Sequence, residues 1–141
     1  MLVGTRNAAN RPTALRASGV RVHEDRAGFD VFLGRGASAR VAQDLAEVPR
    51  IAVTASRPCD YRTFQIKGAV RRVREGREDE RVVTEEYLAR FAALIEEIGM
   101  PRVVTTHIRA WPALVVEVEI EAIFDQTPGP NAGVPLRGGF G

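Results

Sequence analysis

The run "ALVVEVEIEAIFD", Ala113–Asp125, constrains this chain more than any other stretch. Val116, Val118, Ile120, Ala122 and Phe124 alternate with Glu117, Glu119, Glu121 and Ile123. A period of two over this length fits a strand with one buried face and one solvated face, and it does not fit a helix. The glutamates are then a water-facing row, not an acid/base pair.

The rest of the chain offers partners for such a strand. Met1–Thr5 is short and apolar, and after the turn-like "RNAANRP" the segment Pro12–His23 reads as a second strand, making a hairpin. "FDVFLG", Phe29–Gly34, alternates again, as do "RIAVTAS" and the stretch from Tyr61 to Arg74. Two helices interrupt the strands. Ser38 is placed to cap "SARVAQDLAEVP", where Val41, Leu45 and Val48 recur at helical spacing and Pro49 marks the end. The second starts near Thr84 and carries Leu88, Phe91, Ala92, Ile95 and Ile98 on one face before Gly99 and Pro101 stop it. "QTPGPNAGVPLRGGFG" is too rich in Pro and Gly for regular structure. Six or so antiparallel strands with two or more helices predict a mainly β fold, a small β-barrel with helices at its ends. No repeat or linker divides residues 1–141, so they read as a single domain.

Composition narrows the function mostly by exclusion. A hydrophobic fraction of 45% is that of a soluble globular protein. No apolar run is long enough for a membrane span and no signal-peptide layout opens the chain, so the expected address is the cytoplasm. The single cysteine, Cys59, excludes an internal disulfide and has no nearby His to activate it. Net charge is only +2, and the densest charged run, "RRVREGREDER", mixes signs. It reads as a solvated hairpin or loop, not a phosphate-tracking stripe, so nucleic acid is not an expected partner. His23 and His107 lack ligands at metal spacing, which gives no metal site. "GRGASAR" lacks the Lys-Ser/Thr ending of a phosphate loop and does not fit the dinucleotide fingerprint.

A chain without a catalytic constellation can still be an enzyme if a cofactor carries the chemistry and the protein supplies placement. That turns attention to anion binding. Ser38 and Arg40 open a helix, where backbone N–H groups and the dipole favour a phosphate. In "YRTFQIKGAVRRV", Phe64, Ile66 and Val70 share one strand face, while Thr63, Gln65 and Lys67, the chain's only lysine, share the other.

Taken in order, "RPTALRASGV", "GFDVFLGRGASARVAQDLAEVPRIAVTAS" and "YRTFQIKGAV" resemble the pyridoxamine 5′-phosphate oxidase-like family of FMN-binding split β-barrels, as does the closing "FDQTPGPNAG". The resemblance implies a split barrel, a homodimer and FMN held in grooves between two subunits. It implies that Arg16, Ser38 and Arg40 contact the flavin phosphate and that Arg62, Thr63 and Gln65 line the groove. Lys67 stands where the oxidase carries Glu and joins this set by strand parity alone. Val41 stands at the family's Lys of the helix start. The implied function is that of an FMN-dependent oxidoreductase acting on a small molecule the sequence does not identify, without true pyridoxamine phosphate oxidase activity. Two alternatives are a split-barrel protein that binds flavin or haem without turnover and a cofactor-free interaction module.

Overall fold

The computed structural model of the chain describes residues 1–137. Its strands are β1 (Leu2–Arg6), β2 (Pro12–Arg16), β3 (Gly19–Val22), β4 (Gly28–Gly34), β5 (Arg50–Ser56), β6 (Thr63–Glu75), β7 (Ala113–Asp125) and β8 (Pro135–Arg137). All pair antiparallel in one curled sheet of order β2-β1-β5-β6-β7-β4-β3, with β8 added to β7. The helices are α1 (Ala39–Glu47) and α2 (Arg81–Glu97).

The barrel is closed by one segment. The expected strand Pro12–His23 is extended over most of its length but changes partner midway, β2 pairing with β1 and β3 with β4. Between them the Ala17 N–H donates to the Met1 carbonyl (3.1 Å) and the Ser18 N–H to the Phe32 carbonyl (2.8 Å). The two edges of the sheet are therefore the two halves of a single crossing chain. This division raises the strand count above six. So does β8, which lies in the Pro/Gly-rich segment expected to be irregular and pairs Pro135 and Arg137 with Phe124 and Ile123. A proline is tolerated there because an edge strand needs donors on one side only.

The barrel interior is filled by alternate residues: Val3, Phe29, Val31, Leu33, Ile51, Val53, Leu114, Val116 and Val118. Helix α1 plugs the barrel with Val41 and Leu45, as the helical spacing predicts. Buried Asp44 accepts a hydrogen bond from Thr5 Oγ1 (2.9 Å). Its pKa is held below the usual carboxylate value first by the Thr13 hydroxyl, then by Thr5 and the charge of Arg40, against the opposing effect of burial. Ser38 occupies the N-cap position, but its hydroxyl donates back to the Arg35 carbonyl (3.2 Å) instead of capping the helix.

Helix α2 begins at Arg81, behind a 3₁₀ turn at Glu78–Glu80, and so starts earlier than Thr84. It brings Val83 against a second apolar cluster of Phe32, Ala113 and Val115, which also holds Trp111. Ala92 and Ile95 of its expected apolar face are buried, while Ile98 stays exposed. Gly99 follows at φ +84°, a conformation open to glycine at no steric cost.

The mixed-charge run departs from its expected solvated state at two residues, Arg74 and Glu80. Instead of a solvated loop, Arg71–Glu75 completes β6 and Glu80 is buried at 1% exposure. Glu80 accepts two bonds from Arg74 (2.7 and 2.9 Å), one from Arg21 (2.6 Å) and one from the Arg77 backbone N–H (3.0 Å). Arg74 also reaches Glu117 (2.8 Å), and Arg21 reaches buried Asp30, which in turn meets His23 Nε2 (2.9 Å). Arg74 and Glu80 thus enter an internal ion network with Arg21, Asp30 and Glu117, while Arg71, Arg72, Arg77, Glu78, Asp79 and Arg81 stay exposed, as expected of the run.

A second correction concerns β7. From Lys67 to Gly68 the pairing of β6 jumps from Ala122 to Ile120, leaving Glu121 as an extra residue. Such a bulge reverses the faces beyond it. Ile123 therefore pairs with inward Ile66, while Ala122 and Phe124 pair with Lys67 and Gln65 on the outer face. The uniform alternation of the sequence hides this reversal.

Candidate functional site

A groove of about 750 Å³ lies at the mouth of the barrel, beside the start of α1. One wall is Leu15, Arg16 and Ser18, where the crossing segment leaves β2. The loop Gly34–Ala37, which carries β4 into α1, forms the second wall, and His107–Arg109 with Trp111 and Pro112 forms the third. The loop is anchored by the Arg35 N–H on the Pro112 carbonyl (2.8 Å) and turns through the Ala37 N–H on the Gly34 carbonyl (3.2 Å).

Its electrostatics are one-sided. Arg16, Arg35, Arg109 and His107 line the groove, and no carboxylate does so among the described residues. Arg35 is paired with Glu75 outside the lining set. The Arg16 guanidinium lies 5.1 Å from the centroid of the Phe91 ring. Its charge, together with burial as the larger cause, lowers the pKa of the Met1 ammonium, which donates to the Tyr87 hydroxyl (3.0 Å). Trp111 supplies an aromatic wall. Its ring lies so close to Gly76 that a Cβ there would come within 2.8 Å of Cη2, so glycine is needed for this packing. The first-turn N–H groups of α1 have no acceptor inside the helix.

The sequence-predicted residues divide over several places. Arg16 lines the groove, and Ser38 is buried at the end of its loop. Arg40 turns instead to Asp44, its Nε 3.4 Å from Oδ1. Thr63 and Gln65 lie on the outer sheet face, Thr63 Oγ1 sharing a hydrogen bond with Ser56 Oγ (2.8 Å) and Gln65 Nε2 reaching Thr54 Oγ1 (3.4 Å). Lys67 lies on the same face but in a different groove, and Arg62 lines a small pocket with Asp125 and Thr127. Within one chain, then, Arg16 lines the groove, Ser38 follows the loop Gly34–Ala37 that lines it, and the other five lie elsewhere.

Sequence reading passed over Arg35, Arg109 and Trp111 and gave His107 no role beyond excluding it as a metal ligand; His107 is exposed and lines the groove. The signal was the run "HIRAW" just before β7, basic and aromatic together, which lies beside α1 only because β7 pairs with β4. Cys59 is free and exposed, as expected. No group of three or more His, Cys, Asp or Glu among the described residues is placed to hold a metal ion. No described helix is long and apolar enough to cross a membrane.

No family model and no curated protein matches the chain. Solved structures do. The chain is similar to HupZ of Group A Streptococcus at 16% identity and a TM-score of 0.54, over 94% of this chain and 88% of that one. It is similar to a candidate pyridoxamine 5′-phosphate oxidase from Lactobacillus delbrueckii at 13% identity and a TM-score of 0.53, over 87% and 81% of the two chains. The chain thus has the split β-barrel fold of the pyridoxamine 5′-phosphate oxidase-like proteins.

Proposed function

We propose that this split barrel binds FMN in the arginine-lined groove and serves as a flavin-dependent oxidoreductase for a small molecule. The observation that carries the reading is the lining itself: three arginines, a histidine and a tryptophan around about 750 Å³, with no carboxylate among the described residues. That volume lies within the range of small-molecule sites, roughly 300–1,000 Å³. It is asymmetric in the way a flavin mononucleotide is. The phosphate fits at Arg16 and the open first turn of α1, where N–H groups and the helix dipole attract an anion. The ring system fits against Trp111. Ser38 would hold the loop in place through the Arg35 carbonyl without itself meeting the ligand.

FMN, when bound, supplies reversible electron transfer, and the chain's own residues position it and shield it from water. The outer face carrying Thr63, Gln65 and Phe124 is half-buried in the single chain, with Leu2 and Leu136 exposed at 53% and 56%. A second copy set on the Thr63 and Gln65 end of that face, clear of its Arg6–Arg50 end, would bring Thr63 and Gln65 toward its neighbour's groove, completing it as a homodimer.

Calorimetric titration with FMN and with riboflavin tests the assignment. FMN is expected to bind more tightly. Arg16→Ala should weaken FMN by about one to two orders of magnitude, the ~1.5–3 kcal/mol of a hydrogen bond to a charged group, and leave riboflavin unchanged. Arg90→Ala, on an exposed α2 side chain paired only with Glu86, should change neither. Equal affinities for the two flavins would refute the phosphate site. A monomer in sedimentation that nonetheless holds FMN tightly would refute the shared groove.

A further inference from the structure

We infer that the outer face of the sheet carries a second anion site, distinct from the flavin groove, for a phosphate monoester with a compact apolar body. The site is a groove of about 480 Å³ across β1, β5 and β6. Register puts Gly4 beside Ala52 and Ala52 beside Lys67, so one rung of three strands forms its floor. Nothing lies within 4 Å of the Cβ position of Gly4, which leaves the floor open above that strand. Arg6, two residues past Gly4 on β1, and Arg50, two residues before Ala52 on antiparallel β5, lie together at one end of the rung on the same face.

The charges do not cancel. Three cations line this groove against one carboxylate, Glu121, which is already bonded to Arg50. Arg6 donates to the side-chain carbonyl of Asn10 (2.6 Å), a neutral partner. Asn10 itself sits at φ 60°, the left-handed region asparagine tolerates, and lines the same groove. Lys67 has no carboxylate within ion-pair distance among the described residues. Its Nζ lies instead 4.9 Å from the Phe124 ring centroid, over a side chain the β7 bulge delivers to this face. A half-buried ammonium held only by an aromatic ring leaves donors free for an anion. The two guanidiniums match phosphate oxygens in a planar fork, and the ammonium adds a compact third charge. The groove exceeds the size of one phosphate, and Pro12, Ile51 and Ala52 give the remaining volume an apolar lining.

The experiment titrates the full chain, without and with saturating FMN, using phenyl phosphate, inorganic phosphate and phenol. Phenyl phosphate should bind best, inorganic phosphate more weakly and phenol not measurably, with affinity falling as salt rises. Lys67→Ala and Arg6→Ala should each weaken phenyl phosphate about tenfold and leave FMN affinity unchanged. Arg16→Ala, which tests the flavin groove, should leave phenyl phosphate unchanged. Displacement of phenyl phosphate by FMN, its loss in Arg16→Ala alone, or no saturable binding below about 10 mM would overturn the second site. Because the two grooves are read by different ligands and different variants, either assignment can fail while the other holds.

Discussion

Glu80→Ala is expected to cost about 3–5 kcal/mol of folding free energy, the range for removing one partner of a buried ion pair. Glu80 is buried at 1% exposure and accepts four hydrogen bonds, three of them from arginine side chains on β3 and β6. Its loss leaves Arg74, itself 14% exposed, with Glu117 as its hydrogen-bonded carboxylate. Urea unfolding measures the loss, and Glu80→Gln should recover part of it because the amide keeps an acceptor oxygen. A drop under about 0.5 kcal/mol for the alanine variant would place Glu80 among ordinary surface substitutions.

The same residue sets an acid limit. Hydrogen bonds from Arg74 foremost, then from the Arg77 N–H and Arg21, outweigh burial and hold the Glu80 pKa far below the usual glutamate value. A depressed folded pKa means that the unfolded chain takes up the proton first. The stability Glu80 contributes is therefore fully present above its unfolded pKa of about 4.3 and declines as pH falls below it. Glu80→Gln should flatten the decline of stability measured below about pH 4.

Gly68→Ala should be a severely damaging single-methyl change in the sheet, costing about 3 kcal/mol, the upper end of the usual overpacking range. A Cβ at Gly68 would stand 2.3 Å from the Glu119 carbonyl oxygen and 2.5 Å from Val118 Cγ1. The first of these is backbone, so the methyl group cannot be accommodated by a rotamer change, and β6 and β7 must part at the bulge. Gly4→Ala is the matched control, with nothing within 4 Å of the added carbon. It should leave the thermal midpoint almost unchanged. Equal loss in both variants would show that strand glycines are generally needed here and that the bulge contact is not special.

Local pattern revealed most of the elements, because strands and helices announce themselves through near neighbours. The interior faces of β1, β4 and β5, the helix α1 with Val41 and Leu45, and the hairpin around "RNAANRP" all follow from spacing. What spacing concealed were events that depend on a distant partner. The crossing at Ala17–Ser18 is set by Met1 and Phe32, and the face reversal at Glu121 is set by β6. Glu80 is buried only because Arg21 and Arg74 arrive from other strands to neutralise it. The candidate site was legible to the same extent. Arg16 lines the groove from β2, and Ser38 follows the loop Gly34–Ala37 that forms its second wall. The contribution of "HIRAW" depended on which strand β7 would pair with, and that is not written in its own residues.

The order of the strands also governs when this protein can be made to fold. β7 lies between β6 and β4, with β8 beside it, and is the one strand that ties the half-sheet β2-β1-β5-β6 to the half-sheet β4-β3. It is also the longest-awaited link, since β1 to β6 all precede it in the chain. Until residues 113–125 emerge, β4 and β6 each present an open row of backbone donors and acceptors, and β4, buried along its whole length in the finished barrel, has no partner on that side. Assembly of the barrel consequently waits for β7, and a nascent chain paused before it is the species most in need of a chaperone.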